Sequence, residues 1–209
     1  MCNYCPVQPV TNKNQKEEAM TMLLTTQAEL ETFAQDFDFL FCRRKTALSF
    51  AIRLFTKGKW SHVGHIRKGA DGKFYIVDAQ KDGYEPKTLT YWLEKYKYEF
   101  KAMRDPNISY NIEKYKQNEK EMLGIDYDFF GMARHAYKNI AELLNNFRAR
   151  KLPTWIDLSD RFEDKRLYCS EGELRIVGYS PSQSQKDPDT ALTMMSDAGF
   201  YSPYEYKPN

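Results

Sequence analysis

The stretch Lys59-Trp60-Ser61-His62-Val63-Gly64-His65-Ile66 decides how this chain is read. It is a short strand-like run that carries two histidines. Strand alternation sends His62, Gly64 and Ile66 to one face and Val63, His65 and Arg67 to the other. More than a hundred residues later comes Tyr168-Cys169-Ser170-Glu171, a cysteine just ahead of a helix-like run with Leu174, Ile176 and Val177 on its buried side. A thiol and an imidazole are the two parts of a nucleophile–base pair. A thiol at a helix N-terminus also meets the positive end of the helix dipole and backbone N–H groups, which favour the thiolate and offer a donor to a developing oxyanion.

Each of these residues has a plainer reading beside the chemical one. Cys169 is either a nucleophile or a buried structural cysteine. His62 is either the base or a histidine bonded to a backbone carbonyl, and His65, on the opposite strand face, reads as structural. Gly64 next to His62 leaves room for close approach by another backbone or a substrate. The run Phe74–Ala79 reads as the hairpin partner, because Asp71-Gly72 lies between the two strands. Its Asp78 stands beside Tyr75-Ile76-Val77, where a carboxylate is costly unless paired. His62 is the obvious partner; a hydrogen bond in a strand-end turn is the alternative. Gln80 is the reserve for the orienting role, and Tyr168 is a candidate supporting residue.

Outward from this hairpin the pattern is mixed. Thr26-Gln27-Ala28-Glu29 matches a capping box ahead of Leu30, Phe33 and Ala34. Phe37–Phe41 reads as a strand and Leu48, Ala51, Ile52 and Phe55 as one helix face, ended by Gly58. Leu89, Trp92, Leu93 and Tyr96 mark a short helix, Tyr98–Arg104 another strand, and Ile112–Leu123 a charged, exposed helix. A longer helix is expected over Phe129–Arg148, closed by Pro153. Thr190–Asp197 reads as a last helix and the tail from Tyr201 as irregular. The expectation is an α+β fold with a small antiparallel sheet and flanking helices. Residues 1–19 read as a flexible arm and residues 20–209 as one domain, with a helical insert at about 111–164.

The chain has 209 residues, 31 Lys+Arg against 29 Asp+Glu, and 4 Cys. Near-neutral charge gives no electrostatic reason to expect nucleic acid. Four cysteines are too few for a disulfide-stapled small domain, and Cys2 and Cys5 lack the second ligand pair of a structural zinc site. No phosphate-cradling glycine loop, metalloprotease motif or compact calcium loop is present, so no cofactor or metal is expected. No apolar run has membrane-spanning length and none resembles a signal peptide. The expected location is cytoplasmic, or virion or lysis-released.

The ordered set of motifs resembles the circularly permuted branch of NlpC-like papain-fold cysteine hydrolases, the YiiX-like proteins. The residues that carry the resemblance are Asp38-Phe39-Leu40, Thr56 through Gly64, Val77-Asp78-Ala79, Tyr127-Asp128 and Cys169-Ser170-Glu171. It implies a permuted papain-like fold, a small sheet or half-barrel against helices, with the cysteine at a helix N-terminus. It implies Cys169 as nucleophile, His62 as base and Asp78 as the orienting group, where many relatives carry Glu. This chain departs from the pattern at Phe37, where a glycine is usual, at His65, where an aliphatic residue is usual, and at Gly172. Three functions follow as expectations. One is amide hydrolysis, of a peptidoglycan-type peptide, through a thioester. Another is hydrolysis or transfer of an acyl group on a lipid or N-acyl compound. The third is a non-catalytic component of a larger, viral or phage-borne assembly, with protein partners on the arm and the insert.

Overall fold

A computed structural model describes residues 21–43, 47–56, 58–80, 83–96, 99–127, 166–167, 169–184 and 186–208. The N-terminal arm with Cys2 and Cys5, most of the expected insert with Asp128 and the helix expected over 129–148, and Tyr168 lie outside these residues.

The strands are β1 Met22–Leu24, β2 Phe39–Arg43, β3 His62–Lys68, β4 Phe74–Gln80, β5 Gly83–Thr88, β6 Glu99–Met103, β7 Asp126–Tyr127, β8 Arg166–Leu167 and β9 Tyr204–Tyr206. Seven of them form one mixed sheet in the order β1-β9-β6-β2-β3-β4-β5. Only β1 and β9 are parallel within it. β7 and β8 make a separate parallel pair. The helices are α1 Gln27–Phe33, α2 Ala47–Thr56, α3 Leu89–Tyr96, α4 Ile108–Met122, α5 Cys169–Ile176, α6 Pro181–Ser184 and α7 Pro188–Asp197.

Several of these begin where local chemistry puts them. Thr26 caps α1 through the Glu29 N–H, and the Glu29 carboxylate returns to the Thr26 N–H at 3.0 Å, a reciprocal cap worth about 1 kcal/mol. The β3–β4 hairpin turns through Gly72 at φ +79°, a conformation other residues resist. Gly58 follows α2 and its N–H bonds the Arg53 carbonyl.

The α+β expectation holds, but the sheet is larger than the expected one and mixed. The tail from Tyr201 is not irregular. Tyr204 and Tyr206 alternate inward with Glu205 between them, so β9 buries two rings and pairs with both β6 and β1. β5 carries Pro86, which a strand tolerates only where its N–H is not needed, and β5 is the sheet edge. α4 is not simply exposed, because it buries Tyr115, Glu119 and Met122.

Register separates the core into two layers. Gly64 lies opposite Leu40 and Asp78, so His62, Leu40, Cys42, Ile66, Ile76 and Asp78 share one face. That face packs on Leu30 of α1 and on Leu89, Trp92 and Leu93 of α3. Phe39, Phe41, Val63, Val77 and Ala79 share the other, under α4, α5 and α7. Phe37 enters β2 at φ +61°, in the left-handed region, at the position where the resemblance expects glycine. Its ring is buried and stacks on His65 at 5.1 Å with the Arg67 guanidinium at 4.6 Å.

Candidate active site

Asp78 sits mid-sheet with no exposure, so its carboxylate needs donors. It has three. His62 Nε2–H donates to Oδ2 at 2.7 Å, Trp92 Nε1–H to the same oxygen at 3.1 Å, and Gln80 Nε2 to Oδ1 at 2.7 Å and Oδ2 at 2.9 Å. β3–β4 pairing brings His62, Asp78 and Gln80 to one face, and α3 supplies the indole that sequence reading assigned to packing alone. The bond to Asp78 fixes the Nε2–H tautomer of the neutral ring and places its basic lone pair on Nδ1.

Cys169 is the first residue of α5, within a helix turn whose acid, Glu171, is paired with Arg175 at 2.7 Å. It belongs to the buried cluster that also holds Trp60, Val63, Ala79 and Tyr84, the layer in which α5 packs on β3. It is 6% exposed, whereas the other described cysteine, Cys42, is fully buried and donates to the Leu40 carbonyl. Cys42 lies directly across β2–β3 from His62. Alternation therefore does not choose between the histidines in the way the sequence suggests. α5 covers the face of Val63 and His65, and His62 turns to the other face from the first position of the strand.

The second histidine is held at both ring nitrogens. His65 is fully buried, with Nδ1 at 2.8 Å from Glu173 Oε2 and Nε2 at 3.0 Å from Glu119 Oε1. Arg67 pairs with the second Glu119 oxygen, and the Tyr84 hydroxyl donates to Glu173 Oε1 at 2.9 Å. Burial and the neighbouring Glu173 charge push the Tyr84 phenol well above its usual range. With both ring nitrogens committed to carboxylates, His65 ties β3 to α4 and α5.

A strap of four residues spans the two halves of the site. The Ser170 hydroxyl, next to Cys169, donates to the Lys186 carbonyl. Asp187 caps α7 through the N–H groups of Asp189 and Thr190, both at 3.1 Å. Asp189 then accepts the Lys59 N–H at 2.9 Å and the Trp60 N–H at 3.0 Å, in the segment that leads into His62.

No family model matches this chain, and no curated protein matches it. Among solved structures it is similar to a crystal structure of the metalloprotein yiiX from Escherichia coli O157:H7, at 23% identity and a TM-score of 0.48. The alignment covers 69% of this chain and 64% of that one, so the chain spans less than two thirds of the length of the protein it matches. Among the described residues no group of three or more His, Cys, Asp or Glu side chains is placed to hold a metal ion. Among them, too, no helix is long and apolar enough to cross a membrane. A cavity of about 590 Å³ lies beyond the C-terminal end of α5, lined by Tyr115, Val177, Tyr179 and Phe200. It is separated from Cys169 by the length of that helix, about 12 Å.

Proposed function

We propose that the chain is a cysteine hydrolase of the permuted papain-like type, with Cys169 as nucleophile, His62 as base and Asp78 as the orienting group. The observation that carries this reading is the buried His62–Asp78 bond at 2.7 Å, with Gln80 and Trp92 fixing the same carboxylate. A carboxylate held by three donors cannot swing away from the imidazole, so the ring keeps one tautomer through a proton transfer. Cys169 as the first residue of a helix that packs on the strand carrying His62 supports the nucleophile assignment.

In this reading His62 Nδ1 takes the Cys169 proton, and the thiolate attacks the amide carbonyl carbon. The oxygen becomes an oxyanion facing the backbone N–H groups at the head of α5. As the tetrahedral adduct collapses, the C–N bond breaks and the imidazolium protonates the leaving amine. Water, deprotonated by His62, then attacks the thioester carbon and releases the acid and the thiol. Asp78 stabilises the imidazolium in both halves and stays ionised. The substrate class we assign is a peptide amide of the peptidoglycan stem type.

The experiment is turnover by the purified full chain, with Cys169→Ser as control, on peptidoglycan sacculi and on acyl esters. Release of new amino groups from sacculi, lost in the control, is the expected result. Turnover of acyl esters with intact sacculi would instead assign the same residues to acyl chemistry. Turnover of neither would leave a binding protein on this fold.

A further inference from the structure

We propose that Asp189 is a positioning residue that sets the entry of His62 relative to Cys169; this rests on the hydrolase reading above. Its carboxylate spans two successive N–H groups, Lys59 at 2.9 Å and Trp60 at 3.0 Å, in the segment immediately before β3. Two oxygens accepting from two consecutive amides fix the direction of that backbone as well as its place, and charge-assisted bonds of this kind are the stronger ones. The Trp60 ring is buried in the cluster that holds Cys169, and the Lys59 ammonium lies 4.5 Å over that ring. The other end of the strap meets the head of α5. The Lys186 carbonyl accepts from Ser170, the residue after Cys169. Lys186 and Asp189 thus connect the first turn of α5 to the residues that precede His62, across the first turn of α7.

Asp78 fixes the far side of the imidazole and Asp189 fixes the chain that carries it. Without Asp189, His62 keeps its bond to Asp78, but the N–H groups of Lys59 and Trp60 lose their acceptor. The backbone that leads into His62 then loses its charged anchor to the strap that bonds the head of α5. Asp187 offers a control inside the same turn: its side chain caps α7 at the N–H groups of Asp189 and Thr190 and bonds the Thr190 hydroxyl at 2.6 Å, rather than the amides ahead of His62.

The test is the pH dependence of iodoacetamide alkylation of Cys169 in the full chain, read peptide by peptide, for wild type, Asp189→Ala, Asp189→Asn and Asp187→Ala. A thiol paired with an imidazolium reacts well below the ordinary thiol range near about 8.5. Asp189→Ala is expected to move the profile toward that range and to slow alkylation at pH 6 by about tenfold or more. Asp189→Asn, which keeps one acceptor oxygen, falls between, and Asp187→Ala keeps the wild-type profile although it destabilises α7. A wild-type profile in Asp189→Ala overturns the inference, as does an equal displacement in Asp187→Ala, which would mark general loosening. A wild-type Cys169 that already reacts as an ordinary thiol refutes the hydrolase reading, and the inference with it.

Discussion

Replacing His65 with Leu, the aliphatic type the resemblance expects at that position, tests the buried network under α5. His65 holds Glu173 at 2.8 Å and Glu119 at 3.0 Å, and both Glu173 and His65 have no exposed side-chain surface. In the variant Glu119 keeps Arg67, while Glu173 keeps only the neutral Tyr84 hydroxyl. Leaving a buried carboxylate without its donor costs about 1–3 kcal/mol per group, and more where the group is charged. Stacking of the leucine against Phe37 returns about 1 kcal/mol. The expected net loss is about 3 kcal/mol, or roughly 6–12 °C in Tm for a chain of this size. Urea unfolding gives the loss as a lower midpoint at unchanged slope. The double variant His65→Leu with Glu173→Gln removes the stranded charge while Gln still accepts from Tyr84, so it recovers about 1–2 kcal/mol relative to the single variant. A single variant within about 0.5 kcal/mol of wild type, or a double variant no better than the single, would refute the reasoning.

Three further outcomes follow from the same packing. Asp78→Asn keeps one acceptor for three donors and sets an amide N–H₂ against them; a stability loss of about 2–4 kcal/mol by urea unfolding and a turnover loss on the order of 10³-fold are expected. Phe37→Gly relieves the left-handed backbone at φ +61°, worth about 1–2 kcal/mol, but deletes a buried ring worth about 3–5 kcal/mol, so urea unfolding should show a net loss. Tyr84 and Tyr204 both have phenols raised above the ordinary value of 10.0, chiefly by burial and then by Glu173 and Asp38 respectively. A raised folded value means that their contribution to stability is full below the unfolded value and is lost as pH climbs from there through the folded values. Phenolate absorbance of these residues should therefore appear together with unfolding; ionisation of all tyrosines in a folded chain would contradict it.

The local parts of the structure were readable because their signals are local. Thr26 and Glu29 are three residues apart, Asp71-Gly72 sits between its strands, and the head of α5 is a short motif. Asp78 was also readable, since a carboxylate in an apolar strand demands partners, although the Trp92 donor looked like core packing. β1 and β9 were not readable: three-residue strands are too short to show a period, and they pair across most of the chain. Glu119 and Glu173 lie 54 and 108 residues from His65, so no spacing announces them. The alternation rule correctly divided the faces of β3, but it could not say which face α5 would cover, and that depends on Tyr84, Leu174 and Ile176 packing on the Val63 side.

The central claim is that His62 activates Cys169, and the rate of Cys169 alkylation at pH 6 in wild type and His62→Ala measures it most directly. Wild type should react with the reduced pH dependence of an activated thiol, and His62→Ala should fall by about tenfold or more to the rate of an ordinary cysteine. Equal rates in the two proteins would contradict the account.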